Sequence, residues 1–213
     1  MKLRVEIVGG QMMQNAYFIT EEETNATIVI DPGAEPERLI NTIEKNNLDL
    51  KYIVLTHGHF DHIGACDDLN KKYNAPIVIA EGEELLIEEP KNNLSTMIGE
   101  SISIKADIVL KDGDIFKFGD NLEFKVIATP GHTPGGMCLY FEKQEVLISG
   151  DTLFKASVGR TDFPYGDSKV LIQSLEKLKV LPDTTVVYCG HGDKTSIGSE
   201  KVNNPYMGNI FGF

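Results

Sequence analysis

All five histidines of this 213-residue chain lie in patterns that favour metal binding. Three of them occur in one stretch, Thr56-His57-Gly58-His59-Phe60-Asp61-His62, directly after an apolar run that predicts a short buried strand. The other two, His132 and His191, follow a proline-glycine pair and a cysteine-glycine pair. Because no histidine is left for an ordinary core or surface role, the sequence predicts a metal centre.

The stretch after the strand offers two pairs of ligands. His57 and His59 are two residues apart, so both rings can point the same way in a near-extended turn. Asp61 and His62 come from the next turn, which favours two adjacent ions over one. Imidazole nitrogen and carboxylate oxygen suit zinc, iron or manganese, and the lack of a nearby thiolate disfavours a structural zinc knot. A lone His-x-His pair is more often surface decoration, but four ligands behind a strand are not.

Two aspartates directly follow apolar runs that predict strands, as the histidine stretch does. Asp151 follows the run 145–150, and a carboxylate at that place can bridge two metals roughly 3.5–4 Å apart. Capping of a turn or helix is the alternative for Asp151. Asp31 follows the run 28–30 and is expected to hold a ligand or a loop, with turn capping equally open.

Composition narrows the class of partner. The net charge is −12, and 20 basic residues are spread among 32 acidic ones, which argues against nucleic acid and favours a small-molecule substrate. No apolar stretch approaches the roughly 20 residues of a membrane span, and the N-terminal run lacks the apolar core of a signal peptide.

Three cysteines without paired spacing predict reduced thiols and a cytoplasmic protein. Cys189 is expected to be a buried thiol, with a ligand role as the alternative. The glutamate runs at 21–23 and 81–84 are expected to be solvated turns or helix starts.

Hydrophobic periodicity predicts two β/α halves within one α/β domain, 1–213, of undetermined oligomeric state. Strands are predicted at 2–8, 16–20, 26–30, 52–55, 77–80, 108–110, 116–118, 122–128, 136–141, 145–149 and 185–189. Helices are predicted at 36–46, 61–73 and 168–177, with a short one after Ile197.

The motifs together identify a family. The set comprises Ile30-Asp31-Pro32-Gly33, the histidine stretch 56–62, Thr129-Pro130-Gly131-His132-Thr133, Ser149-Gly150-Asp151-Thr152-Leu153-Phe154 and Gly190-His191-Gly192. In kind and order it resembles the metallo-β-lactamase superfamily of metal-dependent hydrolases. The resemblance implies a four-layer αββα sandwich with the metals at one edge of the two sheets. The elements 150–154 and 159–163 are similar to the glyoxalase II-like branch, which hydrolyses thioesters such as S-lactoylglutathione.

Carried onto this sequence, the resemblance implies two divalent ions, with zinc expected first and iron or manganese as alternatives. His57, His59 and His132 would bind the first ion, Asp61, His62 and His191 the second, and Asp151 would bridge them. A bridging water would be deprotonated near neutral pH and would attack the acyl carbon as hydroxide. Asp61 would be a ligand that also orients this hydroxide. Arg160 falls where that branch places a basic residue facing the substrate, and a salt bridge to Asp162 is the equal alternative.

Two other activities fit the same motifs. A persulfide dioxygenase of this fold would use one iron, held here by His57, His132 and Asp151. A lactone or ester hydrolase would use the same two-ion centre. The helical C-terminal extension of classical glyoxalase II enzymes is not found after 203–205, so glutathione selectivity stays open.

Overall fold

The computed structural model describes residues 1–9 and 12–208, and most of its strands form two six-stranded sheets. The strands of the first sheet are β1 (Lys2–Val8), β2 (Gln14–Thr20), β3 (Ala26–Ile30), β4 (Asp49–Val54), β5 (Ile77–Ala80) and β6 (Ile108–Leu110), in that order from edge to edge. Neighbours from β1 to β3 are antiparallel, and neighbours from β3 to β6 are parallel.

The remaining strands form the second sheet and a small hairpin. They are β7 (Ile115–Phe118), β8 (Leu122–Ala128), β9 (Met137–Phe141), β10 (Val146–Gly150), β11 (Leu153–Phe154), β12 (Ser157–Val158), β13 (Val186–Cys189) and β14 (Thr195–Ser196). The second sheet has the order β14-β13-β10-β9-β8-β7, and β11 pairs with β12 outside it. Only the β10–β13 pair of this sheet is parallel.

Six α-helices cover the sheets in the described part of the chain. They are α1 (Pro36–Lys45), α2 (Phe60–Ile63), α3 (Cys66–Tyr73), α4 (Glu84–Glu88), α5 (Ser168–Lys179) and α6 (Ile197–Asn203), with one-turn 3₁₀ helices at Ser95–Ile98 and Glu142–Gln144. Pro36 in the first turn presets the backbone of α1, and the Asp167 carboxylate caps α5 by accepting from two backbone N–H groups. None of the described helices is long and apolar enough to cross a membrane.

Three apolar cores separate four layers. In β3, Val29 faces the helices, whereas Ile28 and Ile30 face the second sheet, as the two-residue period of a strand requires. The helix-facing core contains Leu39, Ile43, Ile53 and Leu69; the core between the sheets contains Val54, Phe124 and Leu139; and the core beneath α5 contains Leu147, Leu175, Leu178 and Val187. The order helix, sheet, sheet, helix confirms the predicted four-layer αββα sandwich.

One predicted helix is divided in two. The sequence predicts a continuous helix over 61–73, but α2 ends at Ile63 and α3 begins at Cys66. A Cβ atom at Gly64 would lie 2.3 Å from the carbonyl oxygen of Gly33. This close approach of two backbones turns the chain, so Asp61 and His62 are presented on a helix of four residues.

The strands that precede the motifs all end at the same edge of the sandwich. β3 and β4 are parallel, β10 and β13 are parallel, and β8 runs in the direction of β10 because both are antiparallel to β9. The two sheets approach closely here: Gly150 has φ +49°, and a Cβ on it would lie 2.2 Å from Thr56 Oγ1. Side chains that follow the two sheets can therefore meet.

Candidate metal centre

The structure brings seven side chains from five segments together at this edge. They come from the β4–α2 connection, from α2, and from the segments that follow β8, β10 and β13. Their ligand atoms form three overlapping groups, within each of which the atoms lie within 4.8 Å of one another. The groups are His57, His59 and His132; His57, His62 and Asp151; and Asp61, His62 and His191.

The first ligand group, His57, His59 and His132, is buried and consists of imidazoles alone. His59 Nδ1 and His132 Nε2 are 3.0 Å apart. Burial lowers the pKa of His57 well below its usual range and that of His59 to about 3, and the other histidines act in the same direction. His57 and His59 can therefore be neutral donors of a lone pair, which is the form that binds a metal.

The second ligand group, Asp61, His62 and His191, adds a carboxylate and is partly open to solvent. His191 Nε2 lies 3.2 Å from Asp61 Oδ2 and 3.4 Å from His62 Nε2. The His191 side chain is 26% exposed, whereas that of His62 is fully buried. Burial works against the charged form of His62, but the carboxylates of Asp151, Asp61 and Asp31 outweigh it and raise the pKa of His62 to about 10.

Asp151 lies between the two groups. Its Oδ2 atom is 3.7 Å from both His132 Nε2 and His191 Nε2, and its Oδ1 atom is 3.5 Å from His62 Nε2. The Oδ1 atom is buried without a hydrogen-bond partner. One carboxylate thus faces histidines of both groups, which is the placement that a bridging ligand needs.

Backbone and side-chain acceptors orient three of the rings. Nδ1 of His132 lies 2.7 Å from the carbonyl oxygen of Arg160, and Nδ1 of His191 lies 3.0 Å from that of Met12. Nδ1 of His62 lies 3.0 Å from Asp31 Oδ2. Since these oxygens accept, each Nδ1 donates a proton to one of them, which leaves Nε2 as the nitrogen that faces the centre and that a cation would bind.

Asp31 contacts a histidine of the second ligand group, which is the contact that its predicted role requires. Besides His62, its carboxylate accepts from the Thr56 backbone N–H at 2.7 Å and from the Thr56 hydroxyl at 2.6 Å. The same hydroxyl lies 3.3 Å from His57 Nδ1. One buried carboxylate is therefore connected to a histidine of each ligand group.

The chemistry of these atoms fits divalent cations. His57 Nε2 and Asp151 Oδ1 are buried without hydrogen-bond partners, which is costly for polar atoms that nothing binds. The donors are imidazole nitrogens and carboxylate oxygens, the set that zinc, iron and manganese accept. Cys189 is absent from the three groups; it is buried, and burial raises the pKa of its thiol to about 12. Cys66 and Cys138 are also buried, and no disulfide forms.

The backbone carbonyl of Arg160 contacts His132 of the first ligand group, whereas the Arg160 guanidinium is paired with Asp162. Nε and Nη2 donate to the two carboxylate oxygens of Asp162 at 2.7 and 2.6 Å. The guanidinium carbon lies 3.9 Å from the centre of the Phe163 ring, which in turn packs edge-on against His59. The predicted salt bridge is present, and the substrate contact stays a prediction.

Two residues of the glutamate runs differ from the predicted exposure, although Glu83 does lie at a helix start, immediately before α4. Glu21 and Glu83 are buried, not solvated. Glu21 accepts from the backbone N–H groups of Asp120 and Asn121 in the turn between β7 and β8. Glu83 accepts from the N–H groups of Gly58 and Gly135. Glu21 and Glu83 come shortly after a buried strand, as Asp31 and Asp151 do. Because other acidic residues lie beside them in the sequence, this position did not distinguish them.

Two residues of β2 that the sequence does not single out position the His191 segment. Asn15 Nδ2 donates to the carbonyl oxygens of Cys189 and Gly192, each at 3.0 Å. The Tyr17 hydroxyl donates to the Cys189 carbonyl at 2.6 Å, and burial raises the pKa of that hydroxyl. These contacts cross from the first sheet to the second, so no local pattern reveals them.

Comparison with known proteins finds one superfamily whose model and members match most of the chain. The family model of the metallo-beta-lactamase superfamily matches residues 9–191. The hydroxyacylglutathione hydrolase GloC of Haemophilus influenzae is 38% identical over 213 residues, covering 96% of this chain and 98% of that protein. The crystal structure of the BLEG-1 B3 metallo-beta-lactamase superposes with a TM-score of 0.91 at 36% identity and covers 97% of this chain and 99% of the other. That of TTHA1623 in a di-iron-bound form gives 0.85 at 35% identity, covering 95% and 99%.

Proposed function

Because the chain belongs to the metallo-β-lactamase superfamily, we propose that it is a hydrolase that cleaves thioesters at a centre of two divalent metal ions. The observation that carries the proposal is the position of Asp151. Its carboxylate faces His132 of the first ligand group and His62 and His191 of the second at 3.5 to 3.7 Å. A single-ion site has no need of a carboxylate that faces two sets of histidines.

We assign the ions to the groups that the side chains form. His57, His59 and His132 would hold one ion and Asp61, His62 and His191 the other, with Asp151 contacting both. Zinc is the expected metal, with iron or manganese as alternatives, since the donors are nitrogen and carboxylate oxygen. When bound, such ions polarise the acyl oxygen and lower the pKa of water toward neutrality.

The protein's own groups would then orient the reactants. The Asp61 side chain is 12% exposed, and its Oδ2 atom faces His191, so it can accept a hydrogen bond from the attacking water and aim it. Ser149 and Thr152 are buried, and all five histidines belong to the ligand groups, so no histidine is left to activate a serine or threonine nucleophile.

The thioester class rests on leaving-group chemistry and on one relative. A thiolate leaving group needs little protonation, so the proposed reaction requires no general acid. The similarity to GloC of Haemophilus influenzae, a hydroxyacylglutathione hydrolase, supports a thioester of glutathione or a related thiol. Lactones and esters are the next substrates to test, followed by β-lactams because of the likeness to BLEG-1.

A persulfide dioxygenase is the second candidate. It needs one iron on two histidines and a carboxylate, and His57, His132 and Asp151 can supply these. Asp151 shares a group with His57, and its Oδ2 atom is 3.7 Å from His132 Nε2.

Metal content separates the two candidates. The full chain, purified without added metal, would be analysed by mass spectrometry of the dissolved sample. About two zinc ions per chain, with turnover in a panel of thioesters, lactones and β-lactams, would support hydrolysis at a two-ion centre. One iron per chain, with oxygen uptake on a glutathione persulfide, would replace it with the dioxygenase.

A further inference from the structure

Glu83 is a buried acidic side chain that the proposed chemistry does not use. It lies three residues after β5, immediately before α4, and its residue is only 1% exposed. Oε1 accepts from the Gly58 N–H at 2.7 Å, and Oε2 accepts from the Gly135 N–H at 2.8 Å. Each carboxylate oxygen thus binds one backbone amide.

The two amides belong to the segments that carry the first ligand group. Gly58 lies between His57 and His59, after β4 of the first sheet. Gly135 lies three residues beyond His132, in the connection from β8 to β9 of the second sheet. A single carboxylate therefore joins the ligand segments of the two sheets.

Close packing leaves these segments little room to move. A Cβ at Gly58 would lie 2.8 Å from Ile87 Cγ2, and a Cβ at Gly135 would lie 2.4 Å from the Glu83 nitrogen. Both glycines press their backbones against the chain around Glu83. If the carboxylate withdrew, two buried N–H groups would lose their partners, which is an expensive arrangement.

We propose that Glu83 is a positioning residue that fixes the His57–His59 segment against the His132 segment and thereby sets the metal affinity of the first ligand group. The inference rests on the proposed function in one respect, that this group holds a metal. Burial of Glu83 raises its pKa to about 7, while the N–H groups of Gly58 and Gly135 act in the opposite direction. A buried carboxylate is disfavoured unless such donors hold it.

The test replaces Glu83 by glutamine. The variant Glu83→Gln keeps the shape of the side chain but offers one oxygen and one NH₂ group, so one of the two glycine N–H groups faces a donor. Glu84→Gln is the matched control, because the partly exposed Glu84 carboxylate also accepts a backbone N–H, that of Gly82 at 2.7 Å. Both substitutions would be made in the full chain and also with His191→Ala, which confines tight binding to the first ligand group.

The readouts are Co²⁺ affinity and the visible absorption of the bound Co²⁺. Glu83→Gln should weaken Co²⁺ binding to the first ligand group about 10–100-fold and change the absorption bands, while Glu84→Gln changes neither. Glu83→Asp keeps the charge but shortens its reach, so we expect an intermediate affinity; this variant decides the question if Glu83→Gln does not fold.

Two results would overturn the proposal, and they differ. If the glutamine variant, or the aspartate variant in its place, binds Co²⁺ with the parent's affinity and spectrum and only its melting temperature falls, Glu83 is structural alone. If the unsubstituted protein itself binds no Co²⁺, the proposed metal centre fails, and the role of Glu83 fails with it.

Discussion

The two ligand groups of the candidate centre differ in burial and in charge. His57, His59 and His132 are buried imidazoles, and burial lowers the pKa of His57 and His59. The second group contains the Asp61 carboxylate and the 26% exposed side chain of His191. For His191, burial alone would lower the pKa, but the Asp61 hydrogen bond and the Asp151 charge raise it.

This difference in burial and charge indicates that the two ligand groups would have different roles. Buried rings held by loops from two sheets would make a rigid pocket for one cation, and the lowered pKa values of His57 and His59 leave those two rings without a proton to displace. The second group, which contains the Asp61 carboxylate and is open on the His191 side, would hold its cation where water and substrate have access. The following predictions test whether this contrast is real, from the largest effect to the smallest.

Replacing Asp151 should impair metal binding by both ligand groups, because both lose the carboxylate that they share. We expect Asp151→Ala to lose most bound metal and at least about 1,000-fold in turnover. Metal content by mass spectrometry and turnover on the best substrate measure this. Asp193→Ala is the control, since that exposed carboxylate is two residues from His191 and pairs with Lys155. Normal metal content in Asp151→Ala would exclude the bridging role.

Metal loss to a chelator should proceed in two phases. The second ligand group should release its ion first because His191 is partly exposed, and the buried first group should follow. His191→Ala should remove the fast phase and leave about one ion per chain, whereas His59→Ala should remove the slow phase. Chelator absorbance against time gives both rates. A single phase in the unsubstituted protein would contradict the difference in access.

Asp31→Asn should weaken both groups together, unlike a change at Glu83. Asparagine would offer one oxygen to three donors, the Thr56 N–H, the Thr56 hydroxyl and His62 Nδ1. We expect a loss of about 10–100-fold in metal affinity, shared by the two ions, in competition with a coloured chelator. Asp107→Asn is the control, because Asp107 accepts the Ile77 N–H away from the centre. Unchanged affinity would mean that Asp31 only shapes the loop.

The two buried glutamates should give opposite pH dependence of stability. Burial raises the pKa of Glu83 to about 7, so its contribution is greatest below the unfolded value of 4.5 and is lost as pH rises through 7. Hydrogen bonds from Thr24 and Asp120 lower the pKa of Glu21, so its contribution is present above 4.5 and is lost as pH falls through the lowered pKa.

Urea unfolding between about pH 3 and pH 8, a window that contains the unfolded value of 4.5 and the value of about 7 for Glu83, compares Glu83→Gln and Glu21→Gln with the parent. The free energy lost in Glu83→Gln should shrink as pH rises, and that lost in Glu21→Gln should grow. Parallel curves for the two variants would show that burial and hydrogen bonding do not act on these carboxylates as the structure indicates.

Arg160→Ala should have the smallest effect. The exposed pair with Asp162 should contribute little to stability, and metal content should not change because His132 is held by the Arg160 backbone carbonyl. A rise in KM of a few-fold at constant kcat, not seen in Lys155→Ala, would support a substrate contact. Lower stability with unchanged KM would leave Arg160 a partner of Asp162 alone.

Local patterns predicted the parts of the molecule that local physics controls. Apolar runs ended by a histidine or aspartate identified β3, β4, β10 and β13 and the residues that follow them. Helix α5 was anticipated from Leu171, Leu175 and Leu178, which are buried on one side. The helix predicted over 61–73 was wrong at Gly64, because the Gly33 carbonyl that displaces the backbone there is distant in sequence.

The sequence by itself determined which side chains could bind a metal and which strands deliver them, because ligand chemistry and two-residue alternation are local properties. The tertiary structure decided how those side chains are grouped, that Asp151 faces both groups, and that Glu21 and Glu83 are buried. Each of these depends on how two sheets pack against each other. A run of glutamates has the same sequence pattern whether it is exposed to solvent or buried under a loop. Glu83 is a buried acceptor because the N–H groups of Gly58 and Gly135 lie opposite its carboxylate.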